Sequence, residues 1–150
     1  MTSEGLSQKT ANRLCVSVKC LLITTLLLLA PLSAQKHKVL NSSYPGEPFE
    51  VKQYLERDTI NVVMFWSRHS PSSEELDQAL NRLHRGRNDL VVSLVDVDRK
   101  DSNEIDWRSP LVRQYNLRVL PYVYILDGGG KTISEGYEAR KQILEMLDGL

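Results

Sequence analysis

Cysteine is scarce in this chain: Cys15 and Cys20 are the only two in 150 residues. Two thiols cannot build a disulfide scaffold, and they fall short of a four-ligand zinc site. Charge of one sign is also lacking, since 19 Lys and Arg balance 19 Asp and Glu. A nucleic-acid binder needs clustered Lys and Arg to neutralise phosphates, and zero formal charge gives no support for one. Internal repeats are absent. Apolar residues at 41% and charged residues at 25% describe a globular domain rather than a disordered segment. The length suits one such domain, able to bury about two-thirds of the surface its unfolded chain exposes.

One long hydrophobic run is present. Residues 20–32 (CLLITTLLLLAPL) carry no charge, follow Lys9, Arg13 and Lys19, and lead into Ser33-Ala34. A basic start, an apolar centre of this length and a small-residue exit describe a secretory signal peptide, with cleavage after Ala34. The alternative is an uncleaved membrane anchor, although a span normally takes about 20 apolar residues and Lys19 stops the run from extending backwards. Removing residues 1–34 takes away Lys9, Arg13, Lys19 and Glu4, leaving 16 basic against 18 acidic residues. It also removes both cysteines. An exported domain of this kind must fold on its core alone.

Residues 35–48 (QKHKVLNSSYPGEP) are polar, carry two prolines and read as a linker or N-terminal arm. Asn41-Ser42-Ser43 fits the glycosylation sequon, a pattern short enough to arise by chance. Phe49, Val51, Tyr54 and Leu55 describe a short amphipathic helix over 49–57. The run 60–66 (INVVMFW) is apolar apart from Asn61 and rich in β-branched and aromatic residues, as a strand buried on both faces is. Leu76, Ala79, Leu80 and Leu83 then fall at helical spacing over 72–85. A second buried strand follows over 90–97 and a short helix over 111–115. A third strand is expected at 122–126, then a turn, a fourth strand over 131–135 and a closing helix over 139–147. This order predicts an α/β fold with a mixed sheet and both faces covered.

Each local motif has a plain structural explanation. Ser70 suits a helix N-cap with Pro71 at the first helical position, and Ser72 with Glu75 could instead form a capping box. Glu74 and Glu75 complement the positive end of that helix. His69 beside Ser70 does not make a nucleophilic pair, because neighbours in sequence rarely align and no third group is in place. Asp96, Asp98, Asp101, Glu104 and Asp106 fail the calcium-loop pattern and, interspersed with Arg99, Lys100 and Arg108, read as a solvated loop. His37, His69 and His84 are too scattered to point to a metal site. Gly128-Gly129-Gly130-Lys131-Thr132 lacks the first glycine of a phosphate loop and reads as a hairpin turn.

Three motifs in order resemble the thioredoxin-like superfamily, over about residues 49–149. The first is Val62-Val63-Met64-Phe65-Trp66 followed by Ser70-Pro71-Ser72-Ser73 at a helix start; the family has Cys-x-x-Cys there. The second is Tyr115 to Tyr122 (YNLRVLPY), similar to the family's approach to a cis-proline, here Pro121. The third is Ile125-Leu126-Asp127-Gly128-Gly129-Gly130-Lys131 with Gly136, similar to the family's hairpin and following glycine. With the leader, the likeness is to the extracytoplasmic thiol–disulfide interchange branch. The resemblance implies a central mixed sheet of four to five strands with helices on both faces.

It also implies a loss of function. The family's chemistry is thiolate attack on a disulfide, and Ser70 and Ser73 occupy both thiol positions. Met64 stands where many members carry a buried acid, and His69 replaces the usual tryptophan. The resemblance implies an exported, redox-inactive binding module with no catalytic residue, cofactor or metal. It would take a protein or peptide along a groove formed by His69, Trp107, Leu120 and Pro121. Core packing is the competing reading of Trp107. Nucleic acid is not an expected partner, and a membrane is one only if residues 20–32 persist as an anchor. The alternatives are an enzyme that uses a partner's thiol or glutathione, and a structural subunit of an exported assembly. Intact mass and N-terminal sequencing of the exported protein should give Gln35 as first residue; recovery of the uncleaved chain in membranes would establish the anchor instead.

Overall fold

The computed structural model describes residues 37–150. The leader, its cleavage point and the anchor alternative over 20–32 lie outside the described residues. Among the described residues no helix is long and apolar enough to cross a membrane.

Strand β1 (Lys38–Val39) comes first, followed by a single 3-10 turn (Val51–Tyr54). Strand β2 (Ile60–Trp66) leads through helix α1 (Pro71–Gly86) to strand β3 (Leu90–Asp96). The short helix α2 (Pro110–Gln114), strands β4 (Tyr122–Leu126) and β5 (Thr132–Glu135) and helix α3 (Gly136–Asp148) complete the chain. The sheet order is β1-β3-β2-β4-β5. β3 runs parallel to both β1 and β2, whereas β4 is antiparallel to β2 and to β5. This is the mixed α/β sheet that the apolar runs predict.

The sheet divides the core in two because strand side chains alternate faces. On one face Val62, Met64, Val92, Leu94, Val123 and Ile125 meet Leu76, Leu80 and Leu83 of α1 and Ala139 and Ile143 of α3. On the other, Val63, Phe65, Val95 and Leu126 pack with Val51, Leu111, Val112 and Leu117. β2 supplies both sets, so a run with no polar alternation is what its position demands.

Two expectations need correction. The helix over 49–57 is one 3-10 turn, because Leu55 is already extended and Phe49 turns back to stack on Tyr54 at 4.7 Å. Of the two readings of 35–48 it is the linker that fails: the described part is an arm docked on the sheet. Lys38 and Val39 pair with Ser93 and Leu94, and Asn41 exchanges both amide bonds with the backbone of Asp96 (2.7 and 2.8 Å). That use buries Asn41, which accounts for the sequon without a glycan. Gly46 bridges Asp96 and Leu111 through its own N–H and C=O, both at 3.0 Å. Its φ is +75°, and a Cβ there would stand 2.7 Å from the Arg99 nitrogen, so no other residue fits. In the β4–β5 turn, Asp127 Oδ1 accepts from the amides of Gly129 and Lys131, and of the three successive glycines only Gly130 has positive φ.

Leu80 is fully buried between α1 and the sheet. Leu80→Ala should lower the unfolding free energy by about 2–5 kcal/mol, measured by urea titration. A loss below about 1 kcal/mol would mean that this layer is not tightly packed.

Candidate functional site

The sheet brings the singled-out residues to one rim. β2 and β3 end side by side at the Trp66–Asp96 pair, and β4 begins there, Tyr122 lying opposite Phe65. Past these ends run residues 67–70, residues 97–109 and the Leu120–Pro121 bond, which is cis.

Ser70 is the N-cap residue of α1, with Pro71 at the first helical position. Its backbone carbonyl accepts from Ser73 N at 3.0 Å, but its hydroxyl makes no capping bond. Ser72 lies inside the first turn, so the Ser72–Glu75 capping box does not form. Ser73 is fully buried, and its hydroxyl accepts a long bond of 3.5 Å from Ser67 N. Pro71 and Ser72 face solvent. The side-chain capping expected of Ser70 is therefore absent.

The acidic cluster corrects the solvated-loop reading in part: Asp101 and Glu104 are exposed as expected, but Asp98 and Asp106 are buried. Asp98 is 0% exposed. Its Oδ2 accepts from Ser67 Oγ at 2.7 Å and its Oδ1 from Asp106 N at 3.0 Å, while Arg68 Nε lies 3.8 Å from Oδ2. Ser67 Oγ in turn accepts from His69 N at 3.0 Å. Asp96 Oδ1 accepts from Asp98 N at 3.0 Å, and Asp96 Oδ2 lies 3.6 Å from Arg68. Desolvation still holds the Asp96 carboxyl above its ordinary range, against the Asp98 amide and Arg68. Asp106 goes the other way: the Arg99 guanidinium, 2.6 Å away, holds it below the usual carboxylate range. A carboxylate buried this deeply survives because each oxygen is bonded.

His69 is half-buried, with Nε2 3.2 Å from the Ser102 carbonyl. That bond takes the imidazole to the 97–109 loop. Among the described residues no imidazole or carboxylate bonds to Ser70, so this arrangement supplies no activated serine nucleophile. Trp107 is 43% exposed, which sets aside the core-packing reading. Leu120 is half-buried, Pro121 buried, and Val119 is 58% exposed.

No protein-family model and no curated protein sequence matches this chain. Solved structures do. Thioredoxin O2 from Arabidopsis thaliana in the oxidized state aligns with a TM-score of 0.51 at 14% identity, covering 77% of this chain and 94% of that one. A designed protein aligns with a TM-score of 0.50 at 20% identity, covering 78% and 93%. The chain has the thioredoxin-like fold. In this thioredoxin-like domain the rim carries Ser70, Ser73, His69, Trp107, Leu120 and Pro121 together. Sequence reasoning missed Ser67, Arg68, Asn41 and the buried state of Asp98 and Asp106. Only the apolar run that ends in Asp96-Val97-Asp98 hinted that these acids start inside the domain.

Asp106 gives a pH signature. Its folded pKa is depressed, so its contribution to stability is present above the unfolded value of about 3.9 and lost as pH falls through the folded value. Asp96, shifted upward, opposes this and costs stability once ionised. Asp106→Asn should therefore be less stable at neutral pH, and its stability should fall less than that of the wild type below about pH 4. Urea titrations across that range check it; parallel pH profiles would show that the Arg99 contact carries no ionic contribution.

Proposed function

We propose that this chain is an exported thioredoxin-like domain that binds an extended protein segment at the Ser70–Pro121 rim and performs no dithiol exchange. The observation that carries the reading is the pairing of Ser70 and Ser73, at the start of α1, with the cis Leu120–Pro121 bond at the same rim. In the thioredoxin-like pattern those two positions hold the reactive cysteines. A hydroxyl without an adjacent base neither attacks nor exchanges a disulfide.

What remains is a binding surface. The Val119 and Leu120 amides donate to no backbone carbonyl among the described residues, which leaves them available to an incoming strand. Exposed Trp107 and Val119 flank that edge with apolar surface, as interface anchors do. The buried Asp98 node behind it fixes residues 67–69 and 106, so the surface is preorganised and little ordering is needed on binding. Export is supported by the basic, apolar and small-residue sequence of the leader.

In an insulin-reduction assay with dithiothreitol, the wild type should remain at the uncatalysed rate and a Ser70→Cys/Ser73→Cys double variant should exceed it. Wild-type turnover above background overturns the redox-inactive reading. In cross-linking from the native exported fraction, Pro121→Ala should lose partners that the wild type captures. Identical captures would remove the groove from the proposal.

A further inference from the structure

The geometry points to a second site, a divalent transition-metal site built on His37 and His84 at the β1 edge. The histidines that look scattered in sequence are brought together here: the two rings stand 5.9 Å apart, edge to face at 78°. His37 precedes β1, and its side chain is 1% exposed. Its Nδ1 lies 2.7 Å from Asp77 Oδ1 on α1. A carboxylate accepts, so Nδ1 is the donor, and it is Nε2 of the neutral ring that offers a lone pair to a metal. That Nε2 is buried and has no hydrogen-bond partner among the described residues. His84 Nδ1, in the last turn of α1, is buried and unpartnered in the same way.

Both rings line one cavity of about 240 Å³, with Tyr54, Glu56, Lys38 and Ser93 also on its wall. Buried ring nitrogens without partners cost free energy, a cost that a cation accepting both lone pairs would relieve. Neutral imidazole nitrogens are the preferred donors for Zn²⁺, Co²⁺, Ni²⁺ and Cu²⁺. The Asp77–His37 contact is the carboxylate–histidine pair that orients a ligand ring and raises its basicity. No three His, Cys, Asp or Glu side chains converge among the described residues. The site is therefore a two-imidazole one, open to solvent ligands or to Glu56, whose exposed carboxylate makes no ion pair among the described residues. Lys38 on the same wall weakens cation binding but is exposed enough to extend into water.

The test is titration of the full chain carrying Cys15→Ser and Cys20→Ser, which removes the leader's competing thiols, in mild detergent at neutral pH with Zn²⁺ by calorimetry and with Co²⁺ by visible absorption. One saturable equivalent is expected. His84→Gln should abolish it, and Asp77→Asn should weaken it about 10- to 100-fold. Long-range proton–nitrogen spectra of the wild type should show Zn²⁺ shifting His37 Nε2 and His84 Nδ1 but not His69. No saturable binding, equal binding by a folded His84→Gln, or a shift confined to His69 would overturn the site. The wild-type spectra decide it even if a variant fails to fold.

Discussion

Everything in this domain hangs on β2 being buried on both faces. Val62 and Met64 are held by the α1–α3 layer, and Val63 and Phe65 by the opposite one, so the strand cannot shift by one residue without exchanging its two cores. Its neighbours β3 and β4 are registered against it along nearly their whole length. Where β2 stops is therefore where three chain segments must leave the sheet together. The rim with Ser70, Asp98 and Pro121 is the consequence of that shared ending.

Behind the rim the chain accepts an expensive arrangement. Asp98 is a carboxylate in a place that a hydrophobic side chain could fill, and a buried ionic group seldom adds net stability over an apolar one. Its oxygens instead tie residues 67, 68 and 106 into a fixed geometry. Fixed geometry serves recognition more than stability. That fits the binding role proposed for the Ser70–Pro121 rim.

The fold was legible in the sequence because its signals are local. β2 announces itself by six apolar residues in seven, Asn61 being the exception, and α1 by the spacing of Leu76, Leu80 and Leu83. The rim was legible in part, since Pro71, Pro121 and the paired serines carry positional meaning on their own. The network around Asp98 was not, because charged residues with basic neighbours read the same in water or inside. Only the arm over 37–46 and the Ser67 hydroxyl decide the matter, and they come from elsewhere in the chain. His37 and His84 were invisible for the same reason: a contact across a sheet edge leaves no spacing rule in the sequence.

The docked arm sets an order of events in folding. Asn41 is bonded to Asp96 across 55 residues, and Phe49 to Gln114 across 65. Contacts this distant along the chain close late, after their loop entropy has been met. The arm is made early and secured late: its partners do not exist until β3 and α2 have been synthesised. Under the export proposed above, the leading side of the domain is therefore a segment that cannot lock until residues up to Gln114 have followed.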